Sequence, residues 1–105
     1  MDQKEFEKEV QKLKQHLEVY PEDEESYLIL GKFYFINKRY DEAVKTYQKL
    51  LSFSDGNVSA YYNLAVACEA KKSYEEARKN YRKVLDIDKD NKEAQDALNR
   101  ITTFQ

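Results

Sequence analysis

Apolar side chains recur along the chain at steps of three and four residues, the spacing of one face of an α-helix. Two such stripes follow each other: Tyr27, Leu30, Tyr34, and then Tyr40, Ala43, Tyr47, Leu50, Leu51. The polar residues 37–39 separate the stripes, and residues 54–57 end the second. There we expect Gly56 to take a positive φ and Asn57 to cap a following helix. The pattern predicts two helices joined by a short turn.

The same pattern returns 34 residues later, because residues 24–57 align with residues 58–91 without a gap. Eleven of the 34 pairs are identical, at Tyr27, Leu30, Lys38, Tyr40, Glu42, Ala43, Lys45, Tyr47, Lys49, Leu51 and Asn57. Small residues at Gly31 and Ala43 are expected to let the two helices of a unit approach closely. The large Tyr47, and its counterpart Tyr81, are then expected to fill the space between units.

This alternation of small and large residues resembles the tetratricopeptide repeat, a 34-residue helix–turn–helix family. The resemblance is carried by Tyr27-x2-Leu30-Gly31-x2-Tyr34…Tyr40-x2-Ala43-x3-Tyr47 and by Tyr61-x2-Leu64-Ala65-x2-Cys68…Tyr74-x2-Ala77-x3-Tyr81. It implies an all-α, right-handed superhelical solenoid of about six helices. Asp55 and Lys89 replace the proline usual near the end of a repeat, a departure not expected to change the fold.

The flanking segments continue the period as single helices. Residues 2–20 align with the second helix of a repeat, and residues 92–104 align with the first. Glu9 and Asn99 stand where the full repeats have small residues, so no further helix is expected to pack closely there. We interpret the chain as one domain with four parts: an N-terminal capping helix at 2–20, repeats at 24–57 and 58–91, and a C-terminal capping helix at 92–104. A slice of a longer array is the alternative.

The family resemblance implies a concave groove lined by the first helix of each repeat. Helical spacing then assigns the following residues to a peptide-binding groove: Leu28, Ile29, Lys32, Phe35, Ile36, Tyr62, Asn63, Val66 and Arg100. The apolar members are not needed for the core stripes, and exposed apolar patches mark contact sites. We therefore expect a partner's extended peptide or amphipathic helix to bind there. Coverage of this surface by the N-terminal helix or by a second copy of the chain is the alternative.

One subfamily holds the acidic C-terminal tails of cytosolic chaperones in a carboxylate clamp. Carried over to this chain, the clamp requires lysine at the position of Leu28, asparagine at Lys32 and Asn63, and lysine and arginine at Glu93 and Ala97. Only Asn63 matches this requirement, and Glu93 would repel a carboxylate. A clamp of this kind is therefore not expected.

Composition and charge exclude several other classes. The chain has 18 Lys+Arg against 20 Asp+Glu, and this net charge of −2 gives no reason to expect nucleic acid or an anionic membrane as a partner. Its most apolar segment, residues 27–36, is about half as long as a membrane-spanning helix. No apolar leader follows Met1. We expect a cytoplasmic protein.

No constellation of catalytic or ligating residues is found in the sequence. His16 is the single histidine, and Cys68 falls on a core stripe, where a buried and inert thiol is expected. Asp86-x-Asp88-x-Asp90 resembles the start of a calcium loop but lacks its later glycine and glutamate. The sequence predicts no cofactor, metal or enzyme activity, and favours a non-catalytic interaction scaffold. The alternative is self-assembly, as a homodimer or within a larger complex, through the apolar groove and Phe104.

Overall fold

The computed structural model describes the backbone of residues 1–104 and the side chains of residues 1–102. Within that range it contains six α-helices and no strand, so the predicted all-α class is confirmed. The helices are α1 (Gln3–Val19), α2 (Glu24–Ile36), α3 (Tyr40–Phe53), α4 (Val58–Ala70), α5 (Tyr74–Ile87) and α6 (Lys92–Phe104). Each packs mainly on the helices beside it in the chain, and the stack measures 39 × 28 × 18 Å.

The apolar stripes form a core that runs along the helix stack, as the spacing predicts. Tyr47 and Tyr81, which are counterparts in the two repeats, are each only 1% exposed. Ala43 and Ala77 are fully buried beside them. Burying a large apolar side chain contributes about 1.5–3 kcal/mol. The stability of the stack therefore comes from apolar helix faces that recur in each repeat, and each face is buried by a neighbouring helix.

Gly31 makes room for an aromatic ring rather than for a second small residue. A Cβ atom at this position would lie 2.5 Å from Cζ of Tyr47, closer than real Cβ contacts occur. Tyr47 therefore packs against α2 within its own repeat. The sequence placed this ring between the repeats, and the structure shows that it also lies on the α2 backbone, where Gly31 has no side chain.

The turn inside each repeat uses a lysine in the left-handed region. Lys38 has a φ of 63° and Lys72, its counterpart, a φ of 65°. In the first repeat, Arg39 N–H donates to the Tyr34 carbonyl and Lys38 N–H donates to the Phe35 carbonyl. The second repeat has the same two hydrogen bonds, which together form a Schellman motif. The two turns are thus built alike without glycine.

The turn between the repeats needs no left-handed residue. Ser54 ends α3 with a φ of −139°, and its N–H donates to the Leu50 carbonyl. No glycine of the described residues has a positive φ, so the expected positive φ at Gly56 is wrong. The chain leaves α3 with Ser54 at a negative φ, so this turn does not require glycine.

Asparagine caps fix where the first helix of each following unit begins. The Asn57 side chain accepts a hydrogen bond from Ala60 N–H at 2.9 Å, which confirms the predicted cap. Asn91 does the same for Ala94 N–H at 2.9 Å. A cap of this type contributes about 1 kcal/mol. These caps fix the starts of α4 and α6, and with them the residues that face the concave side.

The N-terminal helix is held on α2 by aromatic contacts. The rings of Phe6 and Phe33 stack with centroids 5.3 Å apart, and Phe6 meets Tyr34 edge-on at 6.0 Å. The guanidinium of Arg39 lies over the Phe6 ring at 5.4 Å. None of these contacts involves a residue assigned to the groove.

Candidate functional site

Two cavities open on the concave side and have Tyr62 in common. The first has a volume of about 370 Å³ and is lined by Phe35, Tyr62, Val66, Glu69, Ala70, Tyr81 and Arg100. The second has a volume of about 310 Å³ and is lined by Val58, Ser59, Tyr62, Asn63, Asn91 and Glu93. Because Tyr62 lines both, we treat them as one site, the concave groove. Its walls come from α2, α4, α5 and α6 and from the turn before α6.

The structure brings five of the nine predicted groove residues to these cavities: Phe35, Tyr62, Asn63, Val66 and Arg100. The predicted Leu28 is instead half-buried against the core cluster around Tyr27 and Leu50. The other three predicted residues, on α2, line neither cavity. The groove is therefore centred on α4 and extends toward α6.

The remaining predicted residues form an exposed strip on α2 beside the groove. Ile29 is 48% exposed and Ile36 is 62% exposed, two turns further along the same helix face. Lys32 lies between them and is also exposed. Large apolar side chains with this exposure are typical of contact surfaces when they lie together.

A hydrogen-bonded network closes the α6 side of the first cavity. Arg100 Nη2 donates to both Glu69 carboxylate oxygens at 2.7 Å, and Arg100 Nε donates to Oε2 at 3.2 Å. The Tyr81 hydroxyl donates to Glu69 Oε1 at 2.8 Å. Burial and the bond to Glu69 raise the pKa of Tyr81 far above its usual range. The Glu69 carboxylate also raises the pKa of Arg100.

Sequence reasoning assigned Arg100 to the groove but missed its pairing with Glu69. The two residues are 31 positions apart, which is one repeat less one helical turn. Between the first helices of successive units, that separation brings two side chains to neighbouring positions. This spacing was the signal by which the ion pair could have been found.

Two further polar clusters stabilise turns that lie outside the groove. Glu24 Oε1 accepts hydrogen bonds from the Ser54 hydroxyl at 2.7 Å and from Asn57 Nδ2 at 2.8 Å, and these bonds lower the pKa of Glu24. His16 Nε2 lies 2.7 Å from Asp23 Oδ2, and this bond lowers the pKa of Asp23. The second cluster borders a cavity of about 580 Å³ at the α1–α2 turn, whose walls include the exposed Val19.

The described part of the chain offers little for catalysis or metal binding. It contains no group of three or more His, Cys, Asp or Glu side chains placed to hold a metal ion. Cys68 is buried, and burial raises the pKa of its thiol, so the reactive thiolate is disfavoured at neutral pH. Among the helices described, none is both long enough and apolar enough to span a bilayer.

The family model of the tetratricopeptide repeat matches residues 23–90, which cover the two predicted repeats except for Asn91. The chain belongs to the tetratricopeptide repeat family. This confirms the resemblance carried by the aromatic and small residues. Tetratricopeptide repeat domains mediate protein–protein interactions and are generally non-catalytic. No curated protein sequence matches the chain.

Solved tetratricopeptide repeat domains share the fold at low sequence identity. The first such domain of Spaghetti (RPAP3), bound to an HSP90 peptide, gives a TM-score of 0.87 at 22% identity over 96% of this chain and 80% of that chain. The Arabidopsis OM64 domain gives 0.83 at 22% identity, covering 93% of this chain and 81% of that one. MamA from Desulfovibrio magneticus gives 0.82 at 17% identity, covering 94% and 56%.

Proposed function

We propose that the chain is a non-catalytic scaffold, capped by α1 and α6, that binds a segment of a partner protein in the concave groove. The observation that carries this proposal is the pair of cavities joined at Tyr62, the first of which has apolar side chains, those of Phe35, Tyr62 and Val66, outside the core stripes. A concave apolar site with a few polar groups is the usual form of a binding site. We also propose a cytoplasmic location, with no cofactor and no nucleic-acid partner.

The groove offers separate places for apolar and polar parts of a ligand. Phe35, Tyr62 and Val66 are half-buried, so an apolar anchor between them would remove their remaining surface from water. Ser59 and Asn63 line the second cavity and offer hydrogen-bonding groups to a peptide backbone. This combination suits an extended segment or one face of a helix.

The peptide-bound neighbour supports the use of this fold for peptide binding, but its ligand does not suit this groove. Ala97 stands at a clamp position and is only 1% exposed, with no side chain to reach a carboxylate. Glu93 stands at another clamp position and lines the second cavity. We therefore propose a ligand different from the acidic chaperone tail.

A comparison of two valine variants tests the proposed function. Val66→Gln places a long, uncharged side chain in the first cavity. Lys32 and Arg100 occupy the same repeat position in α2 and α6, so such a side chain fits the helix there. Val19→Gln makes the same change at a residue 67% exposed at the end of α1 and serves as the matched control. Both variants should keep the wild-type helical content by circular dichroism.

Wild-type protein, Val66→Gln and Val19→Gln are used as baits in lysate, and captured proteins are quantified by mass spectrometry. We expect a partner that is retained by the wild type and by Val19→Gln and lost by Val66→Gln. Equal capture by all three proteins, or capture by none, would contradict binding in the concave groove.

Self-association is a second candidate function, favoured by the exposed Ile29 and Ile36 on α2. Phe104, also predicted to take part, has its side chain outside the described residues. Analytical ultracentrifugation over a range of protein concentrations separates the two functions. A monomer throughout that range contradicts self-assembly. A dimer abolished by Ile29→Lys with Ile36→Lys would replace the partner-binding proposal.

A further inference from the structure

We propose that the concave groove selects a partner segment carrying lysine or arginine beside its apolar anchors. This inference rests on the proposed function and adds the charge of the ligand to it. It follows from the exposed cations and carboxylates of the concave side.

The cations of the concave side offer little to an acidic ligand. Arg100 is held by both oxygens of Glu69, so an incoming carboxylate would have to displace an existing bidentate ion pair. Lys32 is exposed and makes no ion pair with the described residues, and it flanks the groove without lining either cavity. A single exposed lysine beside the groove does not make a binding site for an acidic ligand.

The carboxylates of the concave side outnumber its available cations. Glu93 lines the second cavity and is exposed. Asp96 lies one turn further along α6, at the repeat position of Tyr62, and Glu25 takes the repeat position of Glu93 on α2. Within the described residues none of the three makes an ion pair. One exposed carboxylate, that of Glu93, therefore lies in the groove, and two more, those of Glu25 and Asp96, flank it near the end where α2, α4 and α6 begin.

Two opposing contributions lie near the same end. Lys92 precedes Glu93, but it takes the repeat position of Glu24, whose side chain is directed to the α3–α4 turn rather than to the groove. The N-terminus of α6 carries a partial positive charge, but the Asn91 side chain already accepts from the Ala94 N–H. Neither contribution makes the net charge at this end of the groove positive.

An apolar anchor strengthens the effect of these carboxylates on a ligand. Exposed ion pairs are weak in water and are screened beyond about 8 Å at physiological salt. An anchor that fills the first cavity holds the ligand's neighbouring charges close to the carboxylates and excludes water between them. For two or three such pairs we expect about a tenfold preference for lysine over glutamate at the flanking ligand positions.

The experiment selects ligands from a random peptide-display library on four immobilised proteins. These are the wild type, Val66→Gln and two double variants, of which the first is Glu93→Lys with Asp96→Lys. We expect wild-type ligands to combine apolar residues with lysine or arginine, and to be lost on Val66→Gln. The charge-reversed protein should select aspartate and glutamate instead. A second double variant, Glu93→Gln with Asp96→Asn, removes the charges without opposing the α6 N-terminus and should abolish the basic preference.

The affinities of selected peptides then separate the outcomes. Exchanging lysine for glutamate in a wild-type ligand should weaken binding about tenfold by fluorescence anisotropy, and added salt should reduce that difference. Ligands that depend on Val66 but are neutral or acidic would overturn the charge inference and leave the groove as a binding site. Selection of no peptide that depends on Val66 would overturn both the inference and the proposed function.

Discussion

The two repeats share one backbone plan but use their buried tyrosines differently. In the first repeat, the Tyr47 ring lies on Gly31, and burial raises the pKa of its hydroxyl to about 12. In the second, the Tyr81 ring meets Tyr62 edge-on at 5.6 Å, and its hydroxyl donates to Glu69. The same repeat position thus serves packing in one unit and a polar network beside the groove in the other. This structural difference arises where the sequences of the repeats diverge, since Glu69 takes the repeat position of Phe35.

The largest effect is expected from adding a side chain at Gly31, where the Tyr47 ring lies against α2. Gly31→Leu should destabilise the protein by about 3 kcal/mol, because the new side chain overlaps the ring and the backbone must move. Thermal unfolding should begin more than about 10 °C lower, as a domain of this size shifts by about 4–8 °C per kcal/mol. The matched pair of alanine variants sharpens the test. Gly31→Ala should destabilise, whereas Gly56→Ala, with nothing within 4 Å, should not.

The next effect concerns the network that only the second repeat has. Tyr81→Phe removes the hydrogen bond to Glu69 and should cost about 1 kcal/mol in urea unfolding. In a Glu69→Gln background the same change should cost less, because the charged acceptor is already absent. A cost that is equal in both backgrounds would mean that Tyr81 and Glu69 are not coupled.

A pH-dependent difference is expected between the two inter-repeat turns. The pKa of Glu24 is lowered in the folded protein, so its contribution to stability is present above the unfolded pKa and is lost as the pH falls through the folded value. Val58 replaces Glu24 in the second repeat. Acidification below about pH 4 should therefore lower the amide-exchange protection factors at residues 54–57 more than at residues 88–91. Glu24→Gln should remove that difference, and its persistence would contradict the role of Glu24.

The smallest effect is expected where the repeats are alike. Lys38→Gly and Lys72→Gly each replace a left-handed lysine by the residue that adopts this conformation without strain. Relief of strain exceeds the added flexibility of the unfolded chain, so each change should stabilise by about 0.5 kcal/mol. Both turns should respond equally in chemical denaturation. A loss of stability at either site would show that the lysine side chain itself is needed.

Most of the fold could be predicted from local periodicity, whereas most of the candidate site depends on contacts between residues that are distant in the sequence. The helices, the core stripes and the Asn57 cap follow from spacing and from side chains close in sequence. The positive φ at Lys38 does not follow from these signals, because it is set by how the chain ends α2. Glycine is the more usual residue with a positive φ, so the sequence pointed to Gly56 instead. The Glu69–Arg100 ion pair depends on how α6 lies beside α4. This pair leaves Arg100 less available to a ligand. Exposure of Ile36 likewise depends on the packing of whole helices.

The Glu69–Arg100 ion pair also fastens α6 to the other described helices. In a linear array each unit touches only its neighbours, so an outer helix of these six is the first to separate. Arg100 in α6 reaches past α5 to α4, and α6 cannot separate without breaking that ion pair. On the opposite side of the described helices, α1 buries only Phe6 and Val10 among its side chains. Under tension applied across the six helices, α1 should therefore separate before α6, and the groove should stay assembled after α1 is lost.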